Sequence, residues 1–399
     1  MGLLFRYELK KLLNRKLTWL LLAVCVGILL NFDHGMLAGK DFVRGMRDVY
    51  DRYEGRVLTD ALVKEALADS EAFAAAHEGE FGMVDDGEIN ELRHTGRDAY
   101  CSGAWQAFSE ITHGTTREYC LERAASVQAC LDNGCYENGK PLTQDDRARL
   151  KNDITMLTTR PPVVHYAEGW ERLSLCNQFI GMFPLFLLAL CLTPLFAGER
   201  AAKLESVLLC AAKRKRASAA KLLAALTATL AIFIVLYGTQ LLAVSLTYGL
   251  DGAVSSAYYS NWGYARTDRT LLGIFAGQAL VWLSAMLALA ILAALFSSAF
   301  RNTLAAMLAY AALIAIHIVL VSIVNSGFWH SLKGPVWETV STIVYLLPGN
   351  ALYDGNYGME IGSILSDLRY VAAGILLSLS LAAAAAVSAH ALYRKRRKA

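Results

Sequence analysis

Scanned for stretches free of Asp, Glu, Lys and Arg, the chain separates into two kinds of text. Six runs are uncharged and almost wholly apolar, at 17–32, 173–197, 222–248, 271–296, 303–324 and 370–392. A bilayer core about 30 Å thick takes roughly 20 helical residues, so each run predicts a membrane-spanning helix, the first being the shortest. A charge at the centre of such a helix costs ~2.5–3.5 kcal/mol even on lenient insertion scales, so its absence from all six runs is the signal. Pro184 and Pro194 predict kinks in the second. Residues 33–172 are patterned instead for water-solvated helices. One stretch runs from Leu58 to Ala75 and another from Thr116 to Asp132, while Thr143-Gln144-Asp145-Asp146 has capping-box spacing ahead of Leu150, Ile154 and Leu157. Gly and Asp clusters at 78–88 and 132–139 predict turns. The expected fold is an all-α integral membrane protein with six transmembrane helices and a large helical extracytoplasmic insertion between the first two.

Charge turns this pattern into a topology. Lys and Arg beside span ends prefer the cytoplasm. Five stand before the first span (Arg6, Lys10, Lys11, Arg15, Lys16) and seven between the second and third (Arg200, Lys203, Lys213, Arg214, Lys215, Arg216, Lys221). Arg301 lies between the fourth and fifth, and Arg394, Lys395, Arg396, Arg397 and Lys398 follow the sixth. All four clusters share one face only if there are six spans, which predicts cytoplasmic N and C termini. The insertion holds 26 acidic and 16 basic residues, so the net charge of +3 conceals an acidic outer segment and a basic inner face. Overall the chain is 55% apolar and 18% charged, against ~25% charged in ordinary soluble domains. That composition excludes disorder and a small disulfide scaffold. The basic start before an apolar run also fits a signal peptide, but Ala38-Gly39 is a poor cleavage site, and the segment is expected to be a retained anchor.

Candidate chemistry is sparse. Cys101, Cys120, Cys130 and Cys135 fall in the insertion, where oxidation would allow one or two disulfides in any of three pairings. No C-x-x-C pair accompanies His113, so no metal site is expected. Phosphate-loop, dinucleotide, zinc-protease and nucleophile-elbow motifs are absent from the sequence, so this chain is expected to be no enzyme and to hold no cofactor itself. Its basic clusters are explained by orientation and anionic lipid rather than nucleic acid. Within the spans, Asn177, Gln178, Gln240, Gln278 and His317 are the candidate path-lining residues, since polar side chains in a bilayer face the bundle interior.

The informative stretch is FAGERAAKLESVLLCAAKRKRASAAK, from Phe196 to Lys221. Leu204, Val207, Leu208 and Ala211 fall at i, i+3, i+4 and i+7, one apolar helical stripe, with Glu199, Lys203 and Glu205 on other faces. Lys213, Arg214, Lys215, Arg216 and Lys221 form a basic inner-face patch. A helix of this kind between two spans suits docking of a cytosolic partner, or lying on lipid.

An acidic residue after the second span, a short helix with a second acidic residue, a Lys-Arg-Lys-Arg turn and a Lys opening the third span resemble the signature of ATP-binding-cassette (ABC) transporter permeases of the type-2 exporter family (ABC-2-type). Glu199 and Glu205 match that family's two acidic positions, Leu208 and Leu209 its leucine pair, Arg214 or Arg216 its basic turn and Lys221 its final Lys. Lys203-Leu204 stands where a Gly-Thr-like pair is usual, and Ala212 where Pro is common. MGLLFRYELKKLLNRK, residues 1–16, is similar to the family's amphipathic inner-leaflet helix, and 335–352, broken at Pro348-Gly349, looks like its re-entrant hairpin.

The resemblance implies a cytoplasmic coupling loop at 198–221, whose helix docks on a separate ABC ATPase through Glu199, Leu204, Glu205, Val207, Leu208 and Ala211. ATP-Mg would be bound by that partner. It also implies a homo- or heterodimer of permease chains in the cell (plasma) membrane and export of a lipid-like, peptide or drug-like substrate. Two other readings are a membrane sensor or scaffold with a ligand-binding extracytoplasmic domain, and a secondary transporter using His317 for protons. The second of these lacks the internal repeats it would need.

Overall fold

The structure is a computed structural model, and it describes residues 2–36, 39–77, 97–136, 139, 141–173, 182–202, 214–256, 269–325, 343–344, 346–348 and 368–395. It is all-helical, with no strand among the described residues. Two compact units divide the chain: Met1–Asp33, Arg172–Ala243 and Gly273–Ala399 form the first, and His34–Glu171 with Val244–Leu272 the second.

The first unit carries the apolar helices. Helices α1 (Gly2–Leu13) and α2 (Lys16–Met36) open it. Among the described residues, five helical stretches are long and apolar enough to cross a bilayer: Pro184–Ala201, Arg216–Thr247, Leu271–Ala299, Thr303–Leu320 and Arg369–Tyr393. The pair Gly2–Leu13 and Lys16–Leu30, bent by 59°, makes a sixth only if counted as one span. Lipid tails are as apolar as Leu, so helices associate in a bilayer through close packing of small residues. Ala224, Ala225, Ala285, Ala290, Ala293 and Ala294 are accordingly fully buried in this unit's core. Leu304, Leu308, Ile316 and Val319 leave an apolar face of the Thr303–Asn325 helix exposed, which suits lipid rather than water.

The second stretch breaks where proline demands it. Helix α8 (Met182–Leu192) ends before Thr193, and α9 (Pro194–Ala201) restarts with proline in its first turn, where a missing N–H costs nothing. The free N–H groups of Phe196 and Ala197 donate to the buried Ser297 hydroxyl at 2.8 and 3.0 Å. Ser297 belongs to α11 (Leu271–Ala299), so a neighbouring helix supplies the cap. Helix α10 (Arg214–Thr247), α12 (Thr303–Asn325) and α13 (Leu368–Lys395) complete the unit.

The second unit comprises α3 (Lys40–Tyr53), α4 (Asp60–Ala76), α5 (Arg97–Thr112), α6 (Arg117–Asn133) and α7 (Gln144–Thr159), with the 160–171 and 244–272 segments. Thr59 and Thr116 cap α4 and α6. The capping box forms as its spacing predicts, with the Asp146 N–H donating to Thr143 Oγ1 at 3.1 Å and the Thr143 N–H to Asp146 at 3.0 Å. Helices α3 and α5 meet at reciprocal glycines: a Cβ on Gly45 would enter the Tyr100 carbonyl oxygen, and one on Gly103 that of Phe42. Cys120 and Ala124 of α6 pack on Leu157 of α7.

Candidate functional site

Two polar centres stand out, one in each unit. In the first unit Lys221, on the second turn of α10, is fully buried. Its Nζ lies 3.1 Å from Glu8 Oε1 of α1 and donates to Glu199 Oε1 of α9. Lys11 Nζ approaches the same Glu199 oxygen at 2.6 Å. The Lys221 ammonium also stands 5.5 Å over the Phe196 ring and 3.4 Å from the Leu195 carbonyl oxygen. Glu8 and Glu199 are nearly as buried, at 5% and 6% exposure. Ions removed from water persist only when paired, and the buried Glu8, Glu199 and Lys221 are paired here, with the one-third-exposed Lys11 balancing the set to neutrality.

This corrects two sequence-based expectations. Glu199 is not on an outward docking face, and Lys221 is not part of a basic surface; each is the other's buried partner. Sequence reasoning missed Glu8 and Lys11, which looked like ordinary charges of an amphipathic helix. The one available signal was their i, i+3 spacing on a face that also carries the buried Leu12.

The rest of the expected docking surface, Leu204, Glu205, Val207, Leu208, Ala211 and Lys213, lies outside the described residues. Arg214 and Lys215 begin α10, and Arg216 is exposed. Most of the expected 335–352 hairpin, and Asn177 and Gln178, also lie outside. Gln240 is fully buried, with neither amide atom hydrogen-bonded among the described residues. Gln278 is buried, and His317 is buried with its Nδ1 donating to the Leu313 carbonyl of its own helix at 2.7 Å.

The second centre is a cavity of about 320 Å³ in the second unit. Glu110, Glu168 and Glu171 line it together with Tyr50, His113 and His165, and no Lys or Arg is among its lining residues. Tyr50 donates to Glu110 Oε2 at 2.7 Å, and Gln106 holds the other oxygen at 2.8 Å. Burial, followed by the nearby Glu110, Glu171 and Glu168 charges, pushes the Tyr50 phenol well above its ordinary pKa. Such a wall favours cationic or hydrogen-bond-donating occupants.

Beside the cavity, Arg47 ties three parts of the unit together. Its guanidinium stacks 4.9 Å over Tyr166, donates to the Tyr248 carbonyl at 2.7 Å and pairs with Asp251. Gly249 and Gly252, at φ +79° and +69°, make the turn that delivers these partners. The ends of this contribution, 244–248 and 271–272, lie in runs read from the sequence as membrane spans, so their place in the second unit was not announced.

Cys101 and Cys120 are buried on α5 and α6, while Cys130 and Cys135 are half-buried free thiols. Among the described residues no group of three or more His, Cys, Asp or Glu is arranged to hold a metal ion. No family model, curated protein or solved structure matches the chain.

Proposed function

We propose that the chain is the membrane-spanning permease subunit of an ABC exporter of the type-2 family, with six spans and both termini cytoplasmic in the cell membrane. It dimerises with itself or a sister chain and is driven by a separate ATPase subunit. The observation that carries this reading is the junction of α9 and α10. The helices that enter and leave 203–213 are joined by the buried Glu199–Lys221 pair, the same two charges that bracket the family-like motif. A segment whose flanking helices are clamped in this way transmits a push from a partner instead of absorbing it. Five long apolar helices and the apolar exposure of α12 support the membrane setting.

Docking is assigned to Leu204, Glu205, Val207, Leu208 and Ala211, with Glu199 reassigned to the interior. The test is co-purification from the native host. Leu208→Asp with Glu205→Lys removes a phosphate-loop ATPase from the purified complex, while Glu65→Gln, at an exposed ion pair of the second unit, retains it; retention by the double variant overturns the docking assignment.

A second reading, a membrane sensor or scaffold with a ligand-binding outer domain, is favoured by the acidic cavity of the second unit. It predicts ligand binding there without ATP-dependent flux in reconstituted vesicles.

A further inference from the structure

The four charges joining α1, α9 and α10 have a property beyond their neutrality. They divide into two halves that are each neutral: Glu8 and Lys11 both belong to α1, and Glu199 and Lys221 belong to the α9–α10 junction. In the docked arrangement the halves are cross-connected, with Lys221 to Glu8 at 3.1 Å and Lys11 to Glu199 at 2.6 Å. Glu8 and Lys11 are i, i+3 neighbours on one helix face, a spacing at which opposite charges pair locally. Glu8 Oε2 is buried without a hydrogen-bond partner among the described residues, so docking leaves one acceptor that a closer Lys11 would satisfy. Removing one member of a buried pair strands a charge and is strongly destabilising. Withdrawing α1 as a whole strands none.

We propose that this tetrad is a releasable latch that seats α1 on the α9–α10 junction, so that α1 moves with the helices flanking 203–213. The shared chemistry makes two arrangements available. In the latched one Lys221–Glu8 and Lys11–Glu199 cross between elements beside the Glu199–Lys221 pair, and in the released one that pair remains while Glu8 closes on Lys11. Bistable contacts of this kind turn a small displacement into a discrete change. The regulatory consequence rests on reading 203–213 as a docking segment, whereas the latch itself depends only on the four side chains.

The test is hydrogen exchange followed by mass spectrometry on the full chain in phosphatidylcholine–phosphatidylglycerol nanodiscs, with no partner added. Glu8→Gln and Lys221→Met each speed exchange across 5–13 by about tenfold or more, the second from a position remote in sequence, because lost pairing lowers the cost of local opening. Arg216→Ala, exposed on the same helix as Lys221, leaves α1 exchange unchanged.

Inverting all four charges together (E8K, K11E, E199K, K221E) re-forms every pair with opposite polarity and restores part of the α1 protection lost in the single variants, recovery staying incomplete because a carboxylate at 221 faces the Phe196 ring and the Leu195 carbonyl. Glu8→Gln is the mildest change and decides the matter if Lys221→Met does not fold. Native-like α1 exchange in Glu8→Gln, or an inverted protein no better protected than the single variants, overturns the latch. Failure of the Leu208→Asp co-purification experiment would overturn the docking reading and leave these results untouched.

Discussion

The two units use the same ion-pair chemistry under opposite conditions. In the first, Lys221 and Glu199 are withdrawn from solvent, with side-chain exposures of 0% and 7%. In the second, Arg56 and Glu65 make a fork of two hydrogen bonds at 2.8 and 2.6 Å, yet both side chains remain 44–48% exposed. Water and salt screen the exposed fork, so its removal is cheap. Nothing replaces the partner of a buried charge. The difference teaches that the number of ion pairs says little about which hold a structure, whereas burial and the stranding of a partner say a great deal.

That contrast is broken most directly at Glu199. Glu199→Ala leaves Lys221 with Glu8 alone and Lys11 without its partner, and is expected to cost ~3–5 kcal/mol. Detergent-extracted protein should lose its monodisperse peak on warming at temperatures the native chain survives; an unchanged melting profile would place the two kinds of pair on an equal footing. Next comes packing in the second unit. Gly103→Ala drives a methyl into the Phe42 carbonyl and should cost ~1–3 kcal/mol, seen as faster hydrogen exchange in α3 and α5 with α6 and α7 unaffected.

Smaller effects follow on the solvated side. Thr143→Ala removes the α7 cap and should cost about 1 kcal/mol, confined to faster exchange at the first turn of that helix. Glu65→Gln, at the exposed fork, should shift the melting temperature by no measurable amount in 0.15 M salt. A large shift there would show that exposure is not what separates the two pairs.

Much of the helical framework was readable in the chain. Five of the six uncharged runs fall in helices long and apolar enough to cross a bilayer, where length and composition suffice because a bilayer admits no exposed backbone and few charges. Pro194 broke its helix because proline lacks the donor that the helix interior needs. The α7 start was announced by Thr143, whose hydroxyl caps the chain locally as its spacing predicts; Thr59 and Thr116 cap α4 and α6 in the same way. Local signals stopped short of α3 and α5, whose contact depends on Gly45 and Gly103 meeting backbone across about 60 positions of sequence. They stopped short again at 244–272, which joins the second unit through backbone acceptors such as the Tyr248 and Leu250 carbonyls, groups every residue possesses.

The centre of interest shows the same division. A motif match singled out Glu199 and Lys221 as important and assigned them to a surface. Sequence by itself determined the helical runs, their uncharged interiors, the caps, the proline break and the charge asymmetry, because each depends on neighbours within a few turns. Only the tertiary structure decided that Glu199 and Lys221 face inward, that Glu8 and Lys11 complete them, and that three carboxylates line one cavity. A charge reads the same in a sequence whether it meets water or another charge, and burial, which decides between the two, is a property of the packed helices.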